Sequence, residues 1–170
     1  MLHTIVVDNF FDNIDKVITL SKNLKYHSRP SYENWPGIRT ESLHSEHYDF
    51  FNEVVLKVLS YYYPGKELKY YNAHVAFCKT KHGDRCGRGT RFHQDGNKKI
   101  AAVIYLSDGD IKCGTTIFHK KKDKQIIVAN KFNTMVAYDG QKYHGFTSLK
   151  TVEKERLTLI VFIEDVEVLT

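Results

Sequence analysis

No uninterrupted apolar run in this chain is long enough to cross a bilayer. The N-terminus, Met1-Leu2-His3-Thr4-Ile5-Val6-Val7-Asp8, lacks the basic region and long apolar stretch of an export signal. The expected location is the cytoplasm, with no membrane partner. Cysteine is scarce and odd in number: Cys78, Cys86 and Cys113 cannot all pair within one chain, which excludes a complete disulfide framework and fits a reducing compartment. No Pro/Gly/Ser linker, internal repeat or low-complexity segment divides the 170 residues, so one domain is expected. Gly-x-Ser-x-Gly elbows, Walker-type phosphate loops and Cys-x-x-Cys knuckles are all missing. Nothing local marks any of the three cysteines as a nucleophile. Nor is there a helix-turn-helix, finger or RNA-recognition signature. A net charge of +5 permits an anionic substrate without demanding a nucleic-acid partner.

Aromatic residues are plentiful, at 13%, which suits a β-rich core or an aromatic-lined pocket. Thr4 to Val7 reads as a short strand. Asp12 is placed to cap a helix carrying Ile14, Val17, Ile18 and Leu24 on one stripe. The stretch from His27 to Thr40, with Pro30, Trp35, Pro36 and Gly37, reads as a long loop. Phe50, Phe51, Val54, Val55, Val58, Leu59 and Tyr62 fall at helical spacing between Glu46 and Tyr63, and Pro64-Gly65 ends that helix. From Leu68 the pattern changes to short strands, predicted near 68–78, 91–94, 101–106, 115–118, 126–128, 134–138 and 157–164. The basic run His119-Lys120-Lys121-Lys122-Asp123-Lys124 is expected to be a solvated hairpin loop. Two helices followed by many strands predict an α+β fold, mainly β, with the strands in a sandwich or barrel.

His93-Gln94-Asp95 sits among the predicted strands. Residues two apart in a strand point the same way, so His93 and Asp95 are placed to converge. His144 follows about 50 residues later. Two imidazoles and a carboxylate fill three coordination positions and leave others open, the arrangement of non-haem Fe(II) oxygenases. His47-Tyr48-Asp49 has the same spacing, but the helical phase around it places it in a solvated or loop position. Arg156, twelve residues after His144, opens the run Arg156-Leu157-Thr158-Leu159-Ile160-Val161-Phe162-Ile163. If it faces inward with Thr158, its guanidinium can clamp a carboxylate through two parallel hydrogen bonds. If it faces outward it is an ordinary strand-edge charge.

His93-x-Asp95, His144 and Arg156-x-Thr158 together resemble the Fe(II)/2-oxoglutarate-dependent oxygenase superfamily, particularly its prolyl-hydroxylase-like branch. The resemblance runs from about Tyr70 to Asp165 and includes Tyr105-Leu106. It also includes Cys113-Gly114-Thr115-Thr116-Ile117-Phe118, which is similar to the family's Gly-Gly-x-Leu strand with Cys113 in place of the first glycine. It implies a double-stranded β-helix (jelly roll) over residues 67–170, supported by the two helices of residues 1–66. His93, Asp95 and His144 would hold Fe(II). Arg156 would bind the distal carboxylate of 2-oxoglutarate, with Thr158 or Tyr105 as a hydrogen-bonding partner. The implied reaction is hydroxylation of a substrate C–H by O2, with 2-oxoglutarate converted to succinate and CO2 and ascorbate as an accessory reductant. Nucleic-acid-dealkylating members carry a second Arg six residues after the first, where this chain has Phe162. The expected substrate is therefore a small molecule or a peptide.

The Trp35-Pro36-Gly37-Ile38-Arg39 and Lys79–Thr90 loops read equally as pocket walls or passive connections. His74, on one strand face with Asn72, Ala76 and Cys78, is a candidate pocket residue or an ordinary core histidine. Two other readings remain. Cys78-x-x-x-His82-x-x-x-Cys86, with Cys113 as a fourth ligand, offers a structural zinc site of loose spacing. The fold also serves as a non-catalytic jelly-roll binding module.

Overall fold

The computed structural model describes residues 2–30, 33, 35–84, 92–108, 111–119, 125–148 and 155–169. Strand β1 (Ile5–Val7) leads into helix α1 (Ile14–Lys22), whose cap is Asn13 rather than the expected Asp12. The Asn13 side chain accepts from Lys16 N at 3.3 Å, satisfying one of the open donors of the first turn. Helix α2 (Tyr48–Tyr62) buries Phe51, Val54, Val55, Val58 and Leu59, one apolar stripe at the i, i+3, i+4, i+7 spacing. His47 stands just outside it and Asp49 is exposed in its first turn, so that rival His-x-Asp pair lies away from the metal-ligand candidates.

The loop expected between the helices contains two short strands, β2 (His27–Ser28) and β3 (Ile38–Arg39). The remaining strands are β4 (Leu68–Thr80), β5 (Ile100–Tyr105), β6 (Thr115–Phe118), β7 (Gln125–Val128), β8 (Thr134–Asp139), β9 (His144–Phe146) and β10 (Arg156–Val168). They form a seven-stranded sheet in the order β1-β8-β5-β10-β4-β3-β2 and a three-stranded sheet in the order β7-β6-β9. Among the described residues the strand pairings are antiparallel, and the architecture is a double-stranded β-helix, mainly β with two helices. The basic run joins β6 to its partner β7. His119 is exposed, and Lys120 to Lys124 lie outside the described residues.

The large sheet is buried on both faces, which explains why β5 and β10 read as near-continuous apolar runs. One face presents Ile100, Ala102, Ile104, Leu159, Val161, Ile163, Val75, Phe77 and Met135 to Phe51, Val54, Val55, Val58 and Leu59 of α2. Each such fully buried side chain contributes about 1.5–3 kcal/mol. The opposite face presents Ala101, Tyr105, Val136 and Tyr138 to Ile117 of β6 and Val128 of β7. Next to them on that face lie Ala76, Cys78 and Ile160. Arg156 and Thr158 precede Ile160 at the same strand parity, so they share this second face.

Candidate metal centre

Two turns meet at one end of the large sheet. One precedes β5 and carries Asp95; the other links β8 to β9 and carries Gly140. His93 and His144 exchange backbone hydrogen bonds of 2.9 Å in each direction, and Asp95 N donates to Gly140 O at 3.0 Å. A Cβ on Gly140 would stand 2.5 Å from Lys98 O, so a side chain there would force the turns apart. The strand expected over 91–94 reduces to one bridge at His93, with Arg91 outside the described residues. Pairing stops there because the chain turns back at Gly96 (φ +64°), with Lys98 N donating to Asp95 O at 3.3 Å. His93 and Asp95 still converge, and one ligand atom from each of His93, Asp95 and His144 lies within 4.8 Å of the others. Among the described residues this is the one such cluster.

Its atoms match a cation. His144 is buried and its Nδ1 lies 2.8 Å from Lys142 O, which can only accept, so the Nδ1 hydrogen points there. A neutral His144 therefore offers only a lone pair at Nε2, and that nitrogen is 3.1 Å from Asp95 Oδ2. Oδ2 is itself buried without a hydrogen-bond donor. His93 Nε2 lies 3.3 Å from Asp95 Oδ1. Burial alone would raise the Asp95 carboxyl, but the imidazoles of His144 and His93 against it prevail and hold it well below the usual carboxylate range. That lowering belongs to protonated imidazoles; with His144 neutral, an anion and an imidazole lone pair face each other across hydrogen-bond distance, an arrangement that a divalent cation between them would satisfy. The Tyr138 ring packs against His144 with centroids 4.6 Å apart and fixes the imidazole from the sheet side. Sequence reasoning missed Tyr138, because an aromatic residue in an apolar strand carries no signal separating it from ordinary core.

The second face of the large sheet also carries the residues expected to bind an acid. Thr158 pairs with Tyr105 across β10 and β5. Arg156 is buried, with its guanidinium carbon 5.4 Å from the Tyr105 ring centroid. Its Nε has no hydrogen-bond partner, and among the described residues no carboxylate forms an ion pair with it. A buried guanidinium without a carboxylate beside it is costly unless an anion arrives. Tyr105 OH shares a 2.6 Å hydrogen bond with Thr115 Oγ1. Burial raises its pKa and the Arg156 charge opposes that. The Thr158 hydroxyl donates to Cys78 O at 3.5 Å. Gly114, the second glycine position of the expected strand motif, is required: a Cβ there would stand 1.8 Å from Val128 O. Cys113 fills the first position as a buried apolar residue against Phe146.

Beside this face runs a groove of about 430 Å³ lined by Trp35, Arg39, His74, Phe162 and Glu164, among others. Trp35 and His74, both pocket candidates on sequence, are therefore brought to one cavity. The Lys79–Thr90 loop begins later than expected, because β4 continues to Thr80, and 85–90 lie outside the described residues. The zinc set does not assemble among the described residues: Cys78 is buried in β4 with Sγ 3.9 Å from Pro36 O, His82 is exposed, and Cys86 lies outside them. No helix among the described residues is long and apolar enough to cross a membrane.

Known proteins place this geometry in a wider context. A family of unknown function, DUF6445, matches residues 2–131. No curated protein sequence matches the chain. Among solved structures, it is similar to a 2OG-Fe(II) oxygenase-family oxidoreductase from Burkholderia pseudomallei, with 12% identity and a TM-score of 0.68 over 94% of this chain and 83% of that one. It is similar to a Pseudomonas putida prolyl-4-hydroxylase at 14% identity, with a TM-score of 0.65 over 94% and 91% of the two chains. The non-heme alpha-ketoglutarate-dependent epimerase SnoN from nogalamycin biosynthesis is similar at 10% identity, with a TM-score of 0.70 over 95% and 77%. The shared fold is that of the 2OG-Fe(II) oxygenases, prolyl hydroxylases among them.

Proposed function

This chain belongs to the DUF6445 family, and we propose that it is an Fe(II)- and 2-oxoglutarate-dependent dioxygenase that hydroxylates a C–H of a small molecule or peptide. The observation that carries this reading is the facing pair of Asp95 Oδ2, buried without a donor, and His144 Nε2 at 3.1 Å. His93, Asp95 and His144 are the metal ligands. Lys142 O fixes the His144 tautomer and Tyr138 fixes its ring. Arg156 takes the distal carboxylate of 2-oxoglutarate through its planar fork, which has no carboxylate partner among the described residues. Tyr105 and Thr158, beside it in the sheet, provide hydroxyls for the same carboxylate. Bound iron with 2-oxoglutarate and O2 would supply the oxidising chemistry, with release of succinate and CO2, and ascorbate would be an accessory reductant.

The test is an anaerobic titration of the protein with Fe(II) and 2-oxoglutarate, followed by the visible absorption that the metal and the 2-oxo acid give together. A band that saturates in the native protein and is lost in His93→Ala supports the assignment. No band in either protein would falsify it and return the fold to a non-catalytic binding role.

A further inference from the structure

We infer that the groove beside the metal-ligand cluster holds the substrate, and that this substrate is a free α-amino acid, anchored by its carboxylate on Arg39. Calling the occupant a substrate rests on the oxygenase reading; the binding chemistry does not. Strand β3 pairs with β4 so that Arg39 stands opposite Cys78, which stands opposite Thr158, which stands opposite Tyr105. Arg39 therefore lies in the same cross-strand row as the residues around Arg156. Two rows along, His74, Phe162, Ala101 and Tyr138 are in register across β4, β10, β5 and β8. Tyr138 touches His144. Ala101 is buried between Phe162 and Tyr138 in that row, and two strand spacings separate those two residues by roughly 10 Å. The groove and the ligand cluster are thus neighbours on one sheet face.

Its lining selects the chemistry. The Arg39 guanidinium carbon lies 4.5 Å from the centre of the Trp35 ring and 5.9 Å from that of Phe162. Cation–π contact with the two rings holds the guanidinium in the groove, where its N–H donors suit a planar anion. Arg39 Nε is buried with no hydrogen-bond partner, and among the described residues Arg39 makes no ion pair, although Glu33 and Glu41 line the same groove. The other lining cation, Lys98, is engaged by Glu164. Glu33 and Glu41 are exposed and face this space, so a doubly charged phosphate is disfavoured while an ammonium beside the carboxylate is welcomed. Carboxylate and ammonium together are an amino-acid zwitterion. A volume of about 430 Å³ accommodates such a molecule, with Trp35, His74 and Phe162 as the wall for its side chain.

Trp35 is the chain's single tryptophan, so its fluorescence reports this groove alone. The experiment titrates native protein, without iron or 2-oxoglutarate, with each of the proteinogenic L-amino acids. Each responder is then compared with its amide, which lacks the carboxylate, and with its N-acetyl form, which lacks the ammonium. The expected result is a saturable change for one amino acid or a small group of them. Binding should weaken by roughly 10- to 100-fold for the amide and in Arg39→Gln, and the N-acetyl form should also bind more weakly. No saturable change with any amino acid, or an amide or N-acetyl form that binds as tightly as the amino acid, would overturn the proposal. The amide comparison uses the native protein, so it holds even where Arg39→Gln does not fold. Because the titration needs no metal, failure of the iron reading leaves its outcome unchanged.

Discussion

Asp95→Asn separates the stability of the fold from the stability conferred by metal, because the substitution should move the two in opposite directions. In the metal-free protein at a pH where His144 is neutral, the carboxylate faces the lone pair of His144 Nε2 at 3.1 Å with no donor to Oδ2. A carboxamide supplies that donor: its N–H reaches His144 Nε2, while its oxygen keeps the position facing His93 Nε2, 3.3 Å away in the native chain. One new buried hydrogen bond is worth about 0.5–1.5 kcal/mol. For a chain of this length each kcal/mol moves Tm by about 2–4 °C, so metal-free Asp95→Asn should melt at or slightly above the native temperature. Fe(II) added anaerobically at a hundredfold excess over its Kd stabilises the native fold by about 2.7 kcal/mol, a rise of about 5–10 °C. The variant, having lost the anionic ligand and turned a donor toward the metal position, should show little of that rise. Thermal unfolding followed by circular dichroism, with and without Fe(II), measures all four midpoints. Equal metal-induced rises in the two proteins, or none in the native one, would refute the reasoning.

Arg156→Ala should raise the apparent Kd for 2-oxoglutarate by roughly 10- to 100-fold, through loss of a charge-assisted pair, in the anaerobic band titration; an unchanged affinity removes Arg156 from the site. Asn133→Ala should cost about 2–4 kcal/mol, read from the urea midpoint. The Asn133 side chain accepts from Phe11 N at 2.9 Å and donates to Phe11 O at 2.8 Å, at a backbone φ of +54° that alanine tolerates poorly. A loss under about 0.5 kcal/mol would contradict that role. His74 is held below its ordinary value of 6.5 by burial first, then by Arg39 and Lys98, against the opposing pull of Glu41 and Glu164. Its stabilising contribution is present above pH 6.5 and is lost as pH falls through the lower folded value. His74→Leu should therefore flatten the fall in stability between neutral pH and about pH 5, and an identical pH profile in the two proteins would exclude His74 as its source.

The elements most legible in the sequence are those whose local pattern and tertiary role agree. The α2 stripe reads as helix from spacing alone, because Phe51, Val54, Val55, Val58 and Leu59 all meet one sheet face. Strands β5 and β10 were visible as apolar runs because both of their faces are covered. Turn signals bounded β6, predicted over the residues it occupies, Thr115–Phe118. Cap chemistry was less decisive: Asp12 and Asn13 are both good caps, and only the geometry of the first turn selects Asn13.

The short strands that build the site were not legible, for a common physical reason. Strands β3 and β9 span two and three residues and exist only because longer partners, β4 and β6, supply their hydrogen bonds. Such a segment has no periodicity to read, and tertiary pairing decides it. The same holds for the ligand cluster. His93 and Asp95 were recognisable from residue type and spacing, but their convergence depends less on a strand than on the close approach of Gly140 to Lys98 O. Arg39 illustrates the limit. In the sequence it closes the Trp35-Pro36-Gly37-Ile38-Arg39 loop, which reads equally as a pocket wall or a passive connection. Pairing through Cys78 and Thr158 carries it into one row with Tyr105, and its guanidinium carbon lies 4.5 Å from the Trp35 ring centre. A function that depends on register between strands separated by many residues is encoded in the pairing rather than in any local word of the sequence, which is why the cluster residues and the pocket candidates Trp35 and His74 could be named in advance and their meeting on one sheet face could not.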